Sequence, residues 1–360
     1  MRTFTITLAL GLQQAVSAAS QTYAASLASL YGLPTSTALP FPTATIPAPD
    51  AQSFITAGAS ADNLGWSLAK GRIQNGGNNM AFVADPFPSA SLAKDPDISA
   101  SAYAGPVLQV TYPAGSYSDQ TGGGAQFIQL WNSTSNLQSM ILSYEVAFDA
   151  NFNFVKGGKL PGLRGGPDQL GCSGGKQPNG NDCFSTRLMW RTSGSGEIYA
   201  YLRPVNGICD TRDTRCNEDF GISINRGKCA FAFQAGTWNR ITMLVRLNTP
   251  GNVANGQLQL FYNDLLAISQ NGIQFRTSGD IQSISGLFFS TFFGGEDPSW
   301  ASPTDQHTYF RNFRMWGSES PSNLTGNQVN AASPITGVIP AWLPGFVGIF
   351  SALVGASFAL

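Results

Sequence analysis

Two pairs of residues in this sequence have the types and spacing for joint chemistry: Ser185 with Arg187, and Tyr199 with Tyr201, each pair fourteen positions from its counterpart. In an extended chain, residues two apart share a face. A hydroxyl, a guanidinium and two phenols therefore converge if the segments are neighbouring strands turned through Thr192-Ser-Gly-Ser-Gly196, with Phe184, Thr186 and Leu188 on the opposite face. Such a group suits removal of a proton next to a carboxylate. The charge that develops on the carboxylate needs a cation, which Arg or Lys supplies. A phenol is a poor base at its free pKa of about 10, but adjacent positive charge favours phenolate. The same tyrosine or its neighbour can then protonate the departing oxygen. On a uronic acid polymer these steps amount to β-elimination, which demands no metal and no other cofactor. The plainer reading of Tyr199 and Tyr201 is cross-strand packing.

Positive charge is concentrated around these residues. Between Lys156 and Arg246 there are thirteen Lys and Arg against seven Asp and Glu, out of 20 basic and 21 acidic residues in all 360. The elements that must hold the group are strands. Leu142, Tyr144, Val146 and Phe148 alternate with Ser143, Glu145 and Ala147, the period of a half-buried strand. Similar runs occur at 184–190, 197–202, 240–247, 257–262, 285–293 and 309–316. Gly157-Gly158 and Gly294-Gly295 read as turn or bulge signals.

Composition agrees. Charged residues make up 11% of the chain, against about 25% in ordinary domains, while there are 40 Gly and 21 Pro. That mixture starves amphipathic helices and favours short strands and turns. The near-balanced charge provides no field for nucleic acid. With one histidine, His307, a multi-histidine zinc or iron site is excluded by counting.

The wording of the motifs is more specific. Phe154-Val-Lys-Gly-Gly-Lys-Leu-Pro-Gly-Leu163, Ser185-Thr-Arg187 and Tyr199-Ala-Tyr201 together resemble polysaccharide lyase family 14, whose members include alginate and other polyuronate lyases. Phe288-Phe-Ser-Thr-Phe-Phe-Gly-Gly295 and Tyr309-Phe-Arg-Asn-Phe313 extend the likeness, which spans about residues 62–317. The resemblance implies an all-β jelly roll, a concanavalin-like β-sandwich, whose concave face binds an acidic polysaccharide. It implies catalytic roles for Lys159 (with Lys156 as the alternative), Ser185, Arg187, Tyr199 and Tyr201. Arg187 and Lys159 would meet the carboxylate, and the tyrosines would serve as base and acid in an order the likeness leaves open. Lys156, Arg191, Trp300 and His307 are further substrate-binding candidates. One departure is the Gly-rich, cysteine-bearing stretch from Arg164 to Phe184, which could cover or reshape the cleft.

Residues 1–19 read as a signal peptide, 20–61 as a Ser/Thr/Pro-rich segment and linker, and 62–317 as the catalytic domain. Residues 318–336 read as a linker with a lipid-attachment site at Asn330, and 337–360 as an uncharged hydrophobic tail of the glycosylphosphatidylinositol type. Asn132 and Asn323 begin N-glycosylation sequons. In an oxidising compartment two disulfides are expected, and Cys172–Cys183 and Cys209–Cys216 would each close a short loop, leaving Cys229. These signals suggest a secreted, fungal-type monomer at the cell surface or in the wall, with the lipid as its only membrane contact. For such an enzyme alginate is not the expected natural substrate, and glucuronan is one of the uronate polymers left open.

Two rivals remain. A glycoside hydrolase needs paired carboxylates. Glu145 and Asp149 would share a strand face about 13 Å apart, too far; Glu296 and Asp297 beside Trp300 could line a sugar cleft, and would point oppositely in a strand though not necessarily in a loop. A non-catalytic carbohydrate-binding protein would suit the aromatics equally well. Trp131, Trp190, Trp238 and Trp300 could stack on sugars, although those in alternating strands belong in a core.

Overall fold

The structure, a computed structural model, describes residues 21–60, 66–68, 73–119, 121–131, 133–205, 207–217, 219–226 and 230–329. The signal-like N-terminus, Asn132, Cys229, Asn330 and the apolar tail lie outside the described residues. The first strands are β1 (Thr35–Ala38), β2 (Trp66–Leu68), β3 (Met80–Val83), β4 (Val107–Tyr112), β5 (Ala125–Trp131) and β6 (Ser139–Phe148). The middle of the chain forms β7 (Gly157–Gly165), β8 (Phe184–Arg191), β9 (Gly196–Tyr201), β10 (Thr214–Arg215), β11 (Ile222–Ile224) and β12 (Trp238–Arg246). There follow β13 (Val253–Ala254), β14 (Gly256–Tyr262), β15 (Leu265–Ile273), β16 (Ile284–Thr291), β17 (Gln306–Ser318) and β18 (Asn327–Gln328). Every run read from alternation is a strand.

Two antiparallel sheets of eight strands form a β-jelly roll. The first runs β15-β14-β12-β6-β17-β4-β3, with β1 also on β17; the second runs β10-β11-β9-β8-β7-β16-β5-β2. Between them lies one apolar core, including Leu142, Tyr144, Val146 and Phe148 from the first sheet and Leu160, Leu188, Trp190, Ile198 and Phe289 from the second. At about 1.5–3 kcal/mol for each large side chain fully buried, this layer outweighs any local strand propensity. The Tyr112 hydroxyl ties the sheets, bonding Thr308 at 2.7 Å on its own sheet and Thr291 on the other.

The expectation of a half-buried β6 is corrected, because all ten of its residues are buried. Its outer face is covered, and Glu145 survives there only through pairing. Arg240 Nη2 donates to Glu145 Oε1 at 2.8 Å and Arg311 Nε to Oε2 at 2.7 Å. Arg240 also reaches Asp264 at 2.6 Å, and Arg311 reaches Asp85 at 2.6 Å.

The linker reading of residues 20–61 fails over the described part. Helix α1 (Ala24–Tyr31) places Ala24, Leu27 and Ala28, at helical spacing, with Leu33 against Ile141, Leu244, Phe261 and Trp316. Gly32 ends α1 in the left-handed region at φ 65°, where a Cβ would be strained, and Leu33 N–H turns back to Ala28 O at 2.9 Å. Strand β1 then extends the first sheet on β17, and α2 (Asp50–Ser60) follows. Composition misled because Pro, Ser and Thr set the average, whereas a few apolar residues set the packing.

Glu145→Ala leaves two buried guanidiniums short of a partner and is expected to cost about 3–5 kcal/mol in chemical denaturation. A chain starting at residue 51 uncovers Ile141, Leu244 and Trp316 and the edge of β17. It is expected to melt lower than one starting at 21, by calorimetry.

Candidate active site

Strands β7, β8 and β9 bring the predicted residues together. Ser185 pairs across the ladder with Tyr201, Arg187 with Tyr199, and Met189 with Glu197, through the turn at Thr192–Gly194. On the other side of β8, Lys159 pairs with Met189. Odd-numbered residues of β8 and β9 face outward, and Phe184, Leu188, Trp190 and Ile198 face the core. Here the second sheet is hollowed into a cleft of about 710 Å³, lined among others by Lys159, Arg187, Met189, Arg191, Tyr199, Tyr201 and Trp300.

Arg187 keeps 2% of its surface. Its Nη1 donates to Ser290 Oγ at 3.1 Å, and the guanidinium carbon lies 4.4 Å from the Phe288 ring centroid and 5.9 Å from that of Tyr201. Its Nε is buried without a hydrogen-bond partner, and burial holds its pKa below the ordinary arginine value. Lys159 Nζ sits 3.1 Å from the centroid of the Tyr199 ring and 3.0 Å from Met189 Sδ. Burial, and after it the charges of Arg187 and Arg191, push this amine well below the usual lysine range. The two phenols meet edge to face with centroids 5.8 Å apart.

The sequence argument that positive charge would favour phenolate is reversed at Tyr199. Burial, and then the neighbouring Tyr201, push its pKa up, and the opposing pull of Arg187 is weaker. Desolvation of the buried phenol outweighs the pull of the neighbouring cation.

Both phenol oxygens are held by loops that carry disulfides. Tyr201 OH accepts from Gly175 N–H at 3.0 Å, in the loop closed by Cys172–Cys183. Tyr199 OH accepts from Gly221 N–H at 3.0 Å, beyond the loop closed by Cys209–Cys216. Both expected pairings are thus found, and the Arg164 to Phe184 stretch forms a wall of the cleft through Ser173 and Gly174. Ser185 is fully buried and donates to Cys172 O at 2.7 Å. Its hydroxyl fixes this loop and does not line the cleft, so the catalytic expectation becomes a positioning one.

Arg191 lines the cleft and its Nε donates to Glu197 Oε1 at 2.9 Å. Lys156 stands at the rim, bonding Ser299 Oγ, 5.8 Å from the Trp300 ring. Trp300 packs on Gly295, where a Cβ would come within 2.1 Å of the ring. His307 is elsewhere: it lies on β17 of the first sheet, with Nδ1 3.0 Å from Asp149 Oδ2. Burial alone would raise the Asp149 carboxyl, but hydrogen bonds from His307 and Tyr309 hold it below the ordinary range. Asn323 is exposed and its Oδ1 accepts from Arg246 Nη1 at 3.0 Å. Met189, Phe220, Arg215 and Arg226, all lining the cleft, were not foreseen. Alternation along β8 points to Met189; the loop residues carry no such signal.

A sequence model described as Polysaccharide lyase 14 matches residues 100–313. Among solved structures, the marine family 14 alginate lyase from Aplysia kurodai is 30% identical, with a TM-score of 0.58 over 78% of this chain and 100% of that one. An alginate lyase from a Chlorella virus is 21% identical, with a TM-score of 0.51 over 76% of this chain and 99% of that one. No curated protein matches this chain in sequence.

Replacing both Cys172 and Cys183 by Ser is expected to cost about 2–3 kcal/mol of stability. It is also expected to lower kcat for elimination about tenfold or more by freeing the loop that holds Tyr201. His307→Gln, by contrast, is expected to keep kcat/KM within about twofold, since it alters no group in the cleft.

Proposed function

Since this chain belongs to the polysaccharide lyase 14 family, we propose that its cleft cleaves a 1,4-linked polyuronate by β-elimination, with Arg187 on the carboxylate, Lys159 as proton acceptor and Tyr199 as proton donor. The observation that carries the reading is Arg187, a guanidinium with 2% exposure whose Nε has no hydrogen-bond partner among the described residues, at the wall of the cleft. Such a group is a receptor for a planar carboxylate. With the carboxylate bound, the proton on the adjacent carbon becomes acidic. Its transfer to the Lys159 amine leaves an electron pair that forms the new carbon–carbon double bond as the bond to the glycosidic oxygen breaks. The Tyr199 O–H gives its proton to that oxygen. The lowered amine and the raised phenol are matched to these tasks, because one must begin uncharged and the other protonated. Afterwards an ammonium and a phenolate stand side by side, and one proton transfer restores both. Tyr201 shapes the site beside Arg187.

The two disulfides fit an extracellular protein, and among the described residues no helix is long and apolar enough to cross a membrane. We read the apolar first segment, the uncharged tail after Asn330 and the sequons at Asn132 and Asn323 as support for a secreted, glycosylated monomer of fungal type held by a lipid anchor. That reading favours a glucuronan-like substrate over alginate.

The test is ultraviolet absorbance of the unsaturated product on glucuronan, alginate and pectate. Lys159→Arg, which puts a guanidinium that stays charged in place of the base, and Tyr199→Phe are each expected to lower kcat about 10²–10⁴-fold; new reducing ends without absorbance would mean hydrolysis instead. The competent form of Lys159 is the free amine. Activity of the native protein should therefore climb with pH through a value well below 10.5 and hold beyond it, because Tyr199 stays protonated. The same depression makes Lys159 a cost to folding at neutral pH, since the unfolded chain binds the proton more tightly. Lys159→Met is expected to raise Tm while abolishing turnover. The gain should be largest below the folded-state pKa and fade as pH approaches the ordinary lysine value.

A further inference from the structure

The two ends of the cleft differ in charge. On the β10–β11 side stand Arg215 and Arg226, and the side chain of Arg191 reaches Ser223 of β11 from the end of β8, in the middle of the sheet. Arg191 and Arg226 share a single carboxylate, Glu197, at 2.9 and 3.8 Å, so among the described residues that line this side of the cleft the guanidiniums outnumber the carboxylates. Phe220, 36% exposed, adds an aromatic face beside them. The opposite end is built from the loop after β16, which contributes Glu296, Asp297 and Trp300. Glu296 and Asp297 are exposed, and Asp297 Oδ1 caps Ser299 N–H at 2.8 Å, which fixes the loop. Lys156 bonds Ser299 Oγ and stands over Trp300, and so offsets one of the two carboxylates. The ring itself is held by its contact with Gly295.

A chain with a carboxylate on every sugar would meet the arginines favourably at one end and Glu296 and Asp297 unfavourably at the other. Like charges facing each other across a binding surface select against the ligand. A neutral sugar would instead present its apolar ring face to Trp300 and its hydroxyls to the two carboxylates. We infer that the substrate is a mixed polysaccharide, in which a neutral sugar at the Trp300 end of the cleft lies on one flank of the uronate that Arg187 engages. This inference rests on the lyase reading given above and adds the composition of the polymer to it.

Glucuronan in which a graded fraction of the carboxyls has been reduced to neutral hexose separates the alternatives. The native chain would be assayed by product absorbance, with mass spectrometry of the products, alongside the Glu296→Gln/Asp297→Asn variant, whose Asn keeps the cap on Ser299. Partial reduction is expected to raise kcat/KM, with neutral residues enriched on one flank of the cleaved bonds. The variant is expected to shift the ratio of unreduced to partly reduced polymer about tenfold toward the unreduced one. A steady fall in rate with reduction, no enrichment on either flank and an unshifted ratio would overturn the inference while leaving the lyase intact. Absence of elimination on every polymer would overturn the lyase reading itself, and this inference with it.

Discussion

A buried guanidinium that forms no ion pair within 4.0 Å among the described residues is the constraint around which the second sheet is organised. Arg187 is fixed by one hydrogen bond to Ser290 and by the faces of Phe288 and Tyr201, none of which neutralises it. A charge kept out of water on these terms is costly, and the surroundings must be rigid enough that it cannot turn out to solvent. The dense aromatic layer beneath β8 supplies that rigidity, with Trp190 touching Phe148, Phe152 and Phe293 edge to face. Tyr201 and Ser185 are in turn held by the Cys172–Cys183 loop.

The first sheet handles buried charge in the opposite way. Glu145, Arg240, Arg311, Asp85 and Asp264 close a network with a carboxylate for each guanidinium. Nothing there is left to bind an anion, and that face is covered. The contrast separates structural from functional charge within one fold: paired and covered on one sheet, unpaired and open to a cleft on the other.

Alternation made the strands and the central group legible in the sequence, because residue parity on β8 and β9 alone decides which side chains share a face. The disulfides were legible because each closes a short loop. Three things were not. Whether a strand is covered on one face or two depends on segments far away in sequence, so β6 looked half-buried. The role of Ser185 depends on where the Cys172 carbonyl lies, which spacing does not encode. His307 sits among aromatic residues in the sequence, as a sugar-binding residue would, but its strand belongs to the other sheet. Phe220, Arg215 and Arg226 reach the cleft from an irregular segment and a two-residue strand, too short for any periodicity to register.

The assignment of acid and base turns on which of two effects on a phenol is larger. Neighbouring cations lower a phenol's pKa and burial raises it, and from sequence only the cations are visible. In the folded protein the nearest cation, Lys159, is itself buried beside the Tyr199 ring and pressed by Arg187 and Arg191, and both effects lower its pKa. Burial therefore lowers the amine and raises the phenol. Exposing the two groups to water would return each toward its free value, and the amine would then be protonated at neutral pH and no longer a base. The stacking of Lys159 on Tyr199 helps to keep both groups out of water, and the register of β7 against β8 and of β8 against β9 is what sets it.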